Sequence, residues 1–346
     1  MAAAGVVIRI PELLQEIASH IYEPASLNQL CLINHSFKDA FTPQLYRCLR
    51  WEQSNVQFLT DPERRRFLFK DNKAAYIRIL IITKSAVKAL HSSWIRKNPS
   101  KGARWRHADH YYFTGLEVTW TLLNDAIIDI CQHTRGLQTF ASQELAIFSD
   151  TTATLSSIPS LRNISIQFHE DLDQILAIDT DATEQYLDRV GHPEKQFIFS
   201  GLRRLSLLAL WGDIMAWRNQ ILLILLASPD LEFLALSLST DAAHPEADDE
   251  TGNAGRLELS LRTEMFEWLG REYGKATGRR LQFRSTKFHY GTRVRNVITV
   301  EGWANPDGMD VVYVWNEGNG PFLRGLGAFP VEDIGPQLAE SDDDEP

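Results

Sequence analysis

From Lys275 to Arg295 the chain carries seven bases, Lys275, Arg279, Arg280, Arg284, Lys287, Arg293 and Arg295, and no acid, interleaved with Phe283, Phe288 and Tyr290. Guanidinium groups spaced among aromatic rings can hold an acidic or phosphorylated peptide through bidentate, charge-assisted hydrogen bonds. Two other readings of the same run stay open: a solvated strand face, and an internal partner for an acidic segment. A second basic run, Arg96 to Arg106, reads as an exposed insertion loop, and Arg64-Arg65-Arg66 is too short for a nuclear signal.

Other residue types that do chemistry fall in patterns that do not complete a site. Gly270-Arg271-Glu272-Tyr273-Gly274-Lys275-Ala276-Thr277 is one residue short of a phosphate-binding loop, and alanine stands where a magnesium-binding hydroxyl is required. After position 317, Leu323 interrupts the third glycine of a G-x-G-x-x-G pattern. His107 and His110 supply two metal ligands with no third nearby in sequence, so the expectation is no metal. His169-Glu170-Asp171 with Asp173 reads as a polar corner after a strand rather than a paired-carboxylate site. Cys31, Cys48 and Cys131 are too few for a disulfide framework, and packing is the expected role of Cys31 and Cys131. No serine elbow, zinc-protease helix or calcium loop appears. The expectation is a protein with no catalytic constellation and no cofactor.

The elements that would position these residues belong to a chain of 346 residues with a formal net charge of -10. That charge argues against general affinity for nucleic acid or anionic lipid. It is unevenly placed: residues 241–250 hold five acids and no base, and the closing SDDDEP holds four. The longest apolar run, ILLILLA at 221–227, is far short of the ~20 residues a bilayer span needs. The first ten residues lack a basic region before their apolar stretch, so no secretory signal is expected. The expected location is intracellular, in cytoplasm, nucleus or both.

Ile10-Pro11-Glu12 opens a helix, with proline at the first helical position and a carboxylate at the positive end of the dipole. Leu13, Leu14, Ile17 and Ile21 predict one apolar stripe, which Pro24 ends. Ser26 with Gln29 predicts the start of a second helix, and Ser36 with Asp39 the start of a third that ends by Pro43. The run from Ile10 to Trp51 resembles the F-box, as found in large families of fungal proteins. The matching features are Ile10-Pro11-Glu12-Leu13-Leu14, Ile17, Pro24, Leu27, Leu30, Ile33-Asn34, Phe37 and Pro43-Gln44-Leu45-Tyr46-Arg47, about an eighth of the chain. Isoleucine replaces the usual leucine before the proline, and Phe37 fills a position often held by tryptophan. The resemblance implies a module that docks on a Skp-family adaptor and, through it, a cullin-RING ubiquitin ligase. It implies that Pro11, Leu13, Leu14, Ile17, Leu27, Leu30, Ile33 and Phe37 divide between the adaptor surface and the core beneath it. A plain helical cap on the following domain would show the same leucines.

Beyond Trp51 a shorter pattern recurs. SIPSLRNISI at 157–166 and ASPDLEFLAL at 227–236 share a proline two before a leucine, then L-x-x-(I/L)-x-(I/L). Leu202 to Leu207 repeats the second half, and Leu137 to Phe140 and Tyr76 to Ile81 are weaker copies. Each predicts a strand of period two, and helical stretches, such as Leu122, Leu123, Ala126, Ile127, Ile130 and Cys131, precede several of them. Helix, break and L-x-x-L-x-L strand resembles the leucine-rich repeat. Leu137, Leu161, Leu202, Leu231 and Leu281 are spaced 24, 41, 29 and 50 residues apart, so the units are unequal. The asparagine or cysteine of a regular repeat is replaced by His169, Leu210 and Ser239. An ordinary α/β domain with leucine-rich strands has the same local pattern.

The fold expected is α/β: an N-terminal three-helix F-box at 8–51, then an irregular leucine-rich-repeat-like solenoid of short parallel strands backed by helices. That array spans 52–300, with an acidic insertion at 241–255. A capping segment at 301–335, marked by the alternation of Val311, Tyr313 and Trp315, and an acidic disordered tail at 336–346 complete the chain. Strand positions between the leucines are expected to face solvent and form a substrate surface: Asn163, Ser165, Gln167, Arg204, Ser206, Ala235, Ser237, Arg280, Gln282 and Arg284. The function this implies is non-enzymatic: the substrate-recognition subunit of a Skp-cullin-F-box ubiquitin ligase, acting on an unknown protein substrate. The alternative is a scaffold that binds the adaptor outside any ligase.

Overall fold

The computed structural model describes residues 10–21, 23–98, 108–167, 198–210, 221–240, 253–289, 296–305 and 308–317. Among the described residues three short helices come first: α1 (Pro11–Ser19), α2 (Pro24–Cys31) and α3 (His35–Leu45). Pro11 opens α1 as expected, with Glu12 in its first turn. Pro24 opens α2 instead of merely ending the helix before it, because proline's missing N–H is no loss at a helix start. Ser26 therefore sits inside α2, where its hydroxyl donates to the Glu23 carboxylate. The start of α3 is two residues earlier than expected: Asn34 Oδ1, not Ser36, accepts the Phe37 amide at 3.0 Å and caps the helix. The helix also runs through Pro43 to Leu45. Leu14, Ala18, Leu27, Ala40 and Phe41 form a small core of their own, with the Phe37 and Phe41 rings stacked at 5.4 Å.

Among the described residues that follow, the strands form one nine-stranded sheet whose order follows the chain, β1 to β9. Its strands are β1 (Cys48–Trp51), β2 (Ile79–Ile82), β3 (Thr139–Gln143), β4 (Asn163–Gln167), β5 (Arg204–Leu210), β6 (Phe233–Thr240), β7 (Leu281–His289), β8 (Asn296–Asn305) and β9 (Gly308–Glu317). Six successive pairings, β1 to β7, are parallel, and β8 and β9 close the sheet as an antiparallel hairpin. The chain is therefore a mixed α/β protein with seven parallel strands, each placed beside its predecessor. Between β1 and β2 lie α4 (Val56–Thr60) and α5 (Pro62–Arg65); then come α6 (Lys84–Lys97), α7 (Ala108–His133), α8 (Ser149–Ser156) and α9 (Asn253–Thr277). Among the described residues one large core joins strand residues such as Leu80, Phe140, Ile164, Leu205, Leu234 and Phe283 to helix residues such as Trp120, Ile127 and Phe266. In α7, Leu123, Ala126, Ile127 and Ile130 are fully buried, as their spacing predicts, whereas Leu122 is exposed.

One main-chain ladder runs along the N-terminal edge of the strands. The carbonyl of Arg47 accepts the amides of Arg78 and Ile79, and the same double acceptance recurs at Arg78, Gln138, Arg162 and Arg203. Two of those arginines bend back onto their own loop. Arg78 Nη1 donates to the Ala75 and Ile77 carbonyls at 2.8 and 3.2 Å, and Arg162 Nη1 donates to Pro159, Leu161 and Gly201 at 3.0, 3.4 and 2.9 Å. The glycine before the next strand makes room: a Cβ on Gly136 would lie 2.1 Å from Arg78 Nη1, and one on Gly201 would lie 1.9 Å from Arg162 Nη1. Elsewhere side chains from the helices hold the loops. Asn124 bonds the Ala146 carbonyl, the Phe148 amide and the Thr151 hydroxyl, and the buried Tyr273 hydroxyl, with one proton to donate, lies 2.9 Å from the Leu231 carbonyl and 3.0 and 3.2 Å from those of Pro229 and Ser228.

Candidate docking surface and strand face

The helical module divides its apolar residues sharply. Leu14 and Leu27 are buried, Leu30 and Phe37 pack partly against them, and Pro11 is exposed. Leu13 and Ile17, one turn apart on α1, are each 43% exposed, and Ile33 is 59% exposed. The single stripe expected on α1 is thus two: Leu14 with Ala18 faces inward, and Leu13 with Ile17 faces outward. A helix with apolar residues at 13, 14 and 17 supplies two rows about 100° apart, and only one can meet α3. Leu32, 78% exposed in the turn after α2, and Ile10 join the outward group. Leu32 escapes sequence reasoning because it falls outside the helical phase of Leu27 and Leu30. Exposed apolar side chains of this size, held on a module with its own closed core, are suited to cover by a partner.

The expected substrate residues are brought together in register, but not all face solvent. Asn163 stands opposite Arg204, and Ser165 opposite Ser206, on the face away from the helices. Asn163 is half-buried and its Nδ2 donates to Thr139 Oγ1 at 3.0 Å; Arg204 is also half-buried. Ser165 and Ser206 are 0% exposed, and their hydroxyls have no hydrogen-bond partner among the described residues. Ala235 is buried against Phe233, and Ala141 against Ile79 and Ile81. The expectation of solvent at every alternate position is thus corrected at Ser165, Ser206 and Ala235, whose short side chains are covered on a face that also carries the longer Asn163, Arg204 and Phe233. Gln282 is half-buried and Arg280 exposed, while the side chains of Gln167, Ser237 and Arg284 lie outside the described residues.

The basic run is divided among elements. Lys275 lies on α9 and pairs with Glu272 at 2.8 Å; Arg279 pairs with Asp230 at 2.7 Å; Arg284 and Lys287 belong to β7. Arg293 and Arg295 are outside the described residues, as are His107, the corner from His169 to Asp173, the acidic insertion from 241 to 252 and the tail. The glycine-flanked stretch from Gly270 to Thr277 lies inside α9, where no phosphate loop can form.

Burial pushes the Cys131 thiol up to about 12 and the Cys48 thiol up to about 11, the latter opposed by Arg50 and Arg47, so neither is poised as a nucleophile. Among the described residues no cluster of metal-ligating side chains occurs, and no helix is long and apolar enough to cross a membrane. Neither a scan of the sequence against protein-family models nor a search of curated proteins finds a match.

Proposed function

We propose that the chain is the substrate-recognition subunit of a Skp-cullin-F-box type ubiquitin ligase. The observation that carries this reading is the outward pair Leu13 and Ile17, with Ile33 and Leu32, on a three-helix module whose core closes without them. The resemblance of residues 10 to 51 to the F-box names the partner of that surface: a Skp-family adaptor. The parallel strands that follow, added in chain order and backed by helices, support an irregular leucine-rich-repeat-like array. Its strand face, with Asn163, Arg204, Gln282 and Arg280, is the substrate surface in this reading.

The mechanism is proximity. One chain holding both adaptor and substrate raises the effective concentration of the ubiquitin-loaded enzyme at a substrate lysine. All bond chemistry belongs to the partners. Affinity capture of the full chain tests the proposal: an adaptor together with a cullin is expected, whereas adaptor without cullin points to the scaffold role, and recovery of neither overturns both.

A further inference from the structure

The sheet edge that carries the Arg47, Arg78 and Gln138 ladder meets the helical module at a groove of about 390 Å³. Its polar lining is Gln15 from α1, Gln44 from α3, Tyr76, and the three strand-start residues Arg47, Arg78 and Gln138; the rest is small and apolar. Every polar side chain in that lining can donate a hydrogen bond, and no carboxylate is among them. Arg78 is held in place by its two loop carbonyls through Nη1 alone. Arg47 is exposed, and its guanidinium makes no hydrogen bond or ion pair among the described residues. Two cations, Arg78 held by its loop and Arg47 free to reach a ligand, lie with carboxamide and phenol donors at the junction of two packed units and form a concave site for an acceptor-rich anion.

We propose that this groove binds a phosphoryl group carried by a small phosphate ester. A phosphoryl group brings about -1.5 to -2 of charge and three acceptor oxygens, which matches two guanidinium groups; a carboxylate brings half that charge. The volume is at the small end of the range for ligand pockets, ~300 to 1,000 Å³, and so suits a compact ester. This site is independent of the ligase reading.

Equilibrium dialysis of the full chain against radiolabelled glycerol 3-phosphate, at fixed ionic strength, tests it. One ester per chain is expected to bind, with inorganic phosphate competing and glycerol or acetate not competing. Arg47→Glu and Gln138→Glu, both at exposed positions, should each weaken binding at least tenfold while the melting temperature stays unchanged. Unchanged affinity in both variants, or acetate competing as well as phosphate, would overturn the site. A degenerate phosphoserine peptide pool binding tenfold more tightly than the ester would overturn the small-molecule source.

Discussion

Gly136 and Gly201 do one job for two different arginines, and their surroundings predict different penalties for losing it. A Cβ at 136 would meet only the end of the Arg78 side chain, which can swing away at the loss of its loop bonds; a Cβ at 201 would also lie 2.9 Å from the Pro159 carbonyl, which is main chain. Gly201→Ala should therefore destabilise by about 2 kcal/mol and Gly136→Ala by about 1 kcal/mol or less, read by urea denaturation. Tyr273 offers a pH test. Burial pushes its hydroxyl up to about 12 from an ordinary value of 10.0, so the folded state holds the proton longer than the unfolded state does. The stability this contributes is complete below pH 10, falls as pH rises from about 10 to 12, and amounts to about 3 kcal/mol. Tyr273→Phe should flatten that alkaline loss while costing about 1 to 3 kcal/mol at neutral pH, because the cluster of loop carbonyls around that hydroxyl loses the one proton donated to it. Denaturation curves at pH 8 and pH 11.5 check both signs.

At the scale of the element, periodicity made the existence of the helices and strands legible, and left open which face meets what. On α1, spacing could not rank Leu13 against Leu14, since both rows satisfy the helical period; the contact with α3 decides. The consequence is measurable: Leu14→Ala should destabilise by about 2 to 5 kcal/mol, and Leu13→Ala by less than about 1 kcal/mol, in thermal denaturation. The prolines show the same limit. Pro24 and Pro43 were visible as punctuation, but whether proline opens a helix or sits in its last turn depends on which carbonyls remain unpaired, which is settled by neighbouring chain. The strands were legible because L-x-x-L-x-L alternates cleanly. The arginine interlocks were not, because Arg78 and Gly136 are joined only after two helices have intervened.

Across the whole molecule, the parallel order of β1 to β7 followed from units that each supply one strand and pack beside the last. The closing hairpin fits the alternation of Val311, Tyr313 and Trp315, but it begins at Asn296, inside the range assigned to the array. Charge was legible only as a sum: a net of -10 conceals local pairs such as Arg279 with Asp230 and Arg203 with Glu232 that draw bases and acids together along the sheet edge. In the proposed receptor, substrate choice resides on the strand face. Arg204→Glu with Arg284→Glu should therefore remove captured substrate proteins while leaving adaptor recovery intact, as read by quantitative capture of both classes from one lysate.

In the proposed receptor the outward face of α1 docks a Skp-family adaptor. The most direct test of that docking is the affinity of the purified full chain for a purified adaptor, measured for the natural sequence and for Leu13→Asp combined with Ile17→Asp. Both positions are exposed, so the melting temperature should stay within about 2 °C while affinity falls by about a hundredfold, the loss expected when apolar anchors are replaced by charge in a desolvated interface. Equal affinity for the adaptor in the natural and doubly substituted chains, or no binding by the natural chain, contradicts docking through this face.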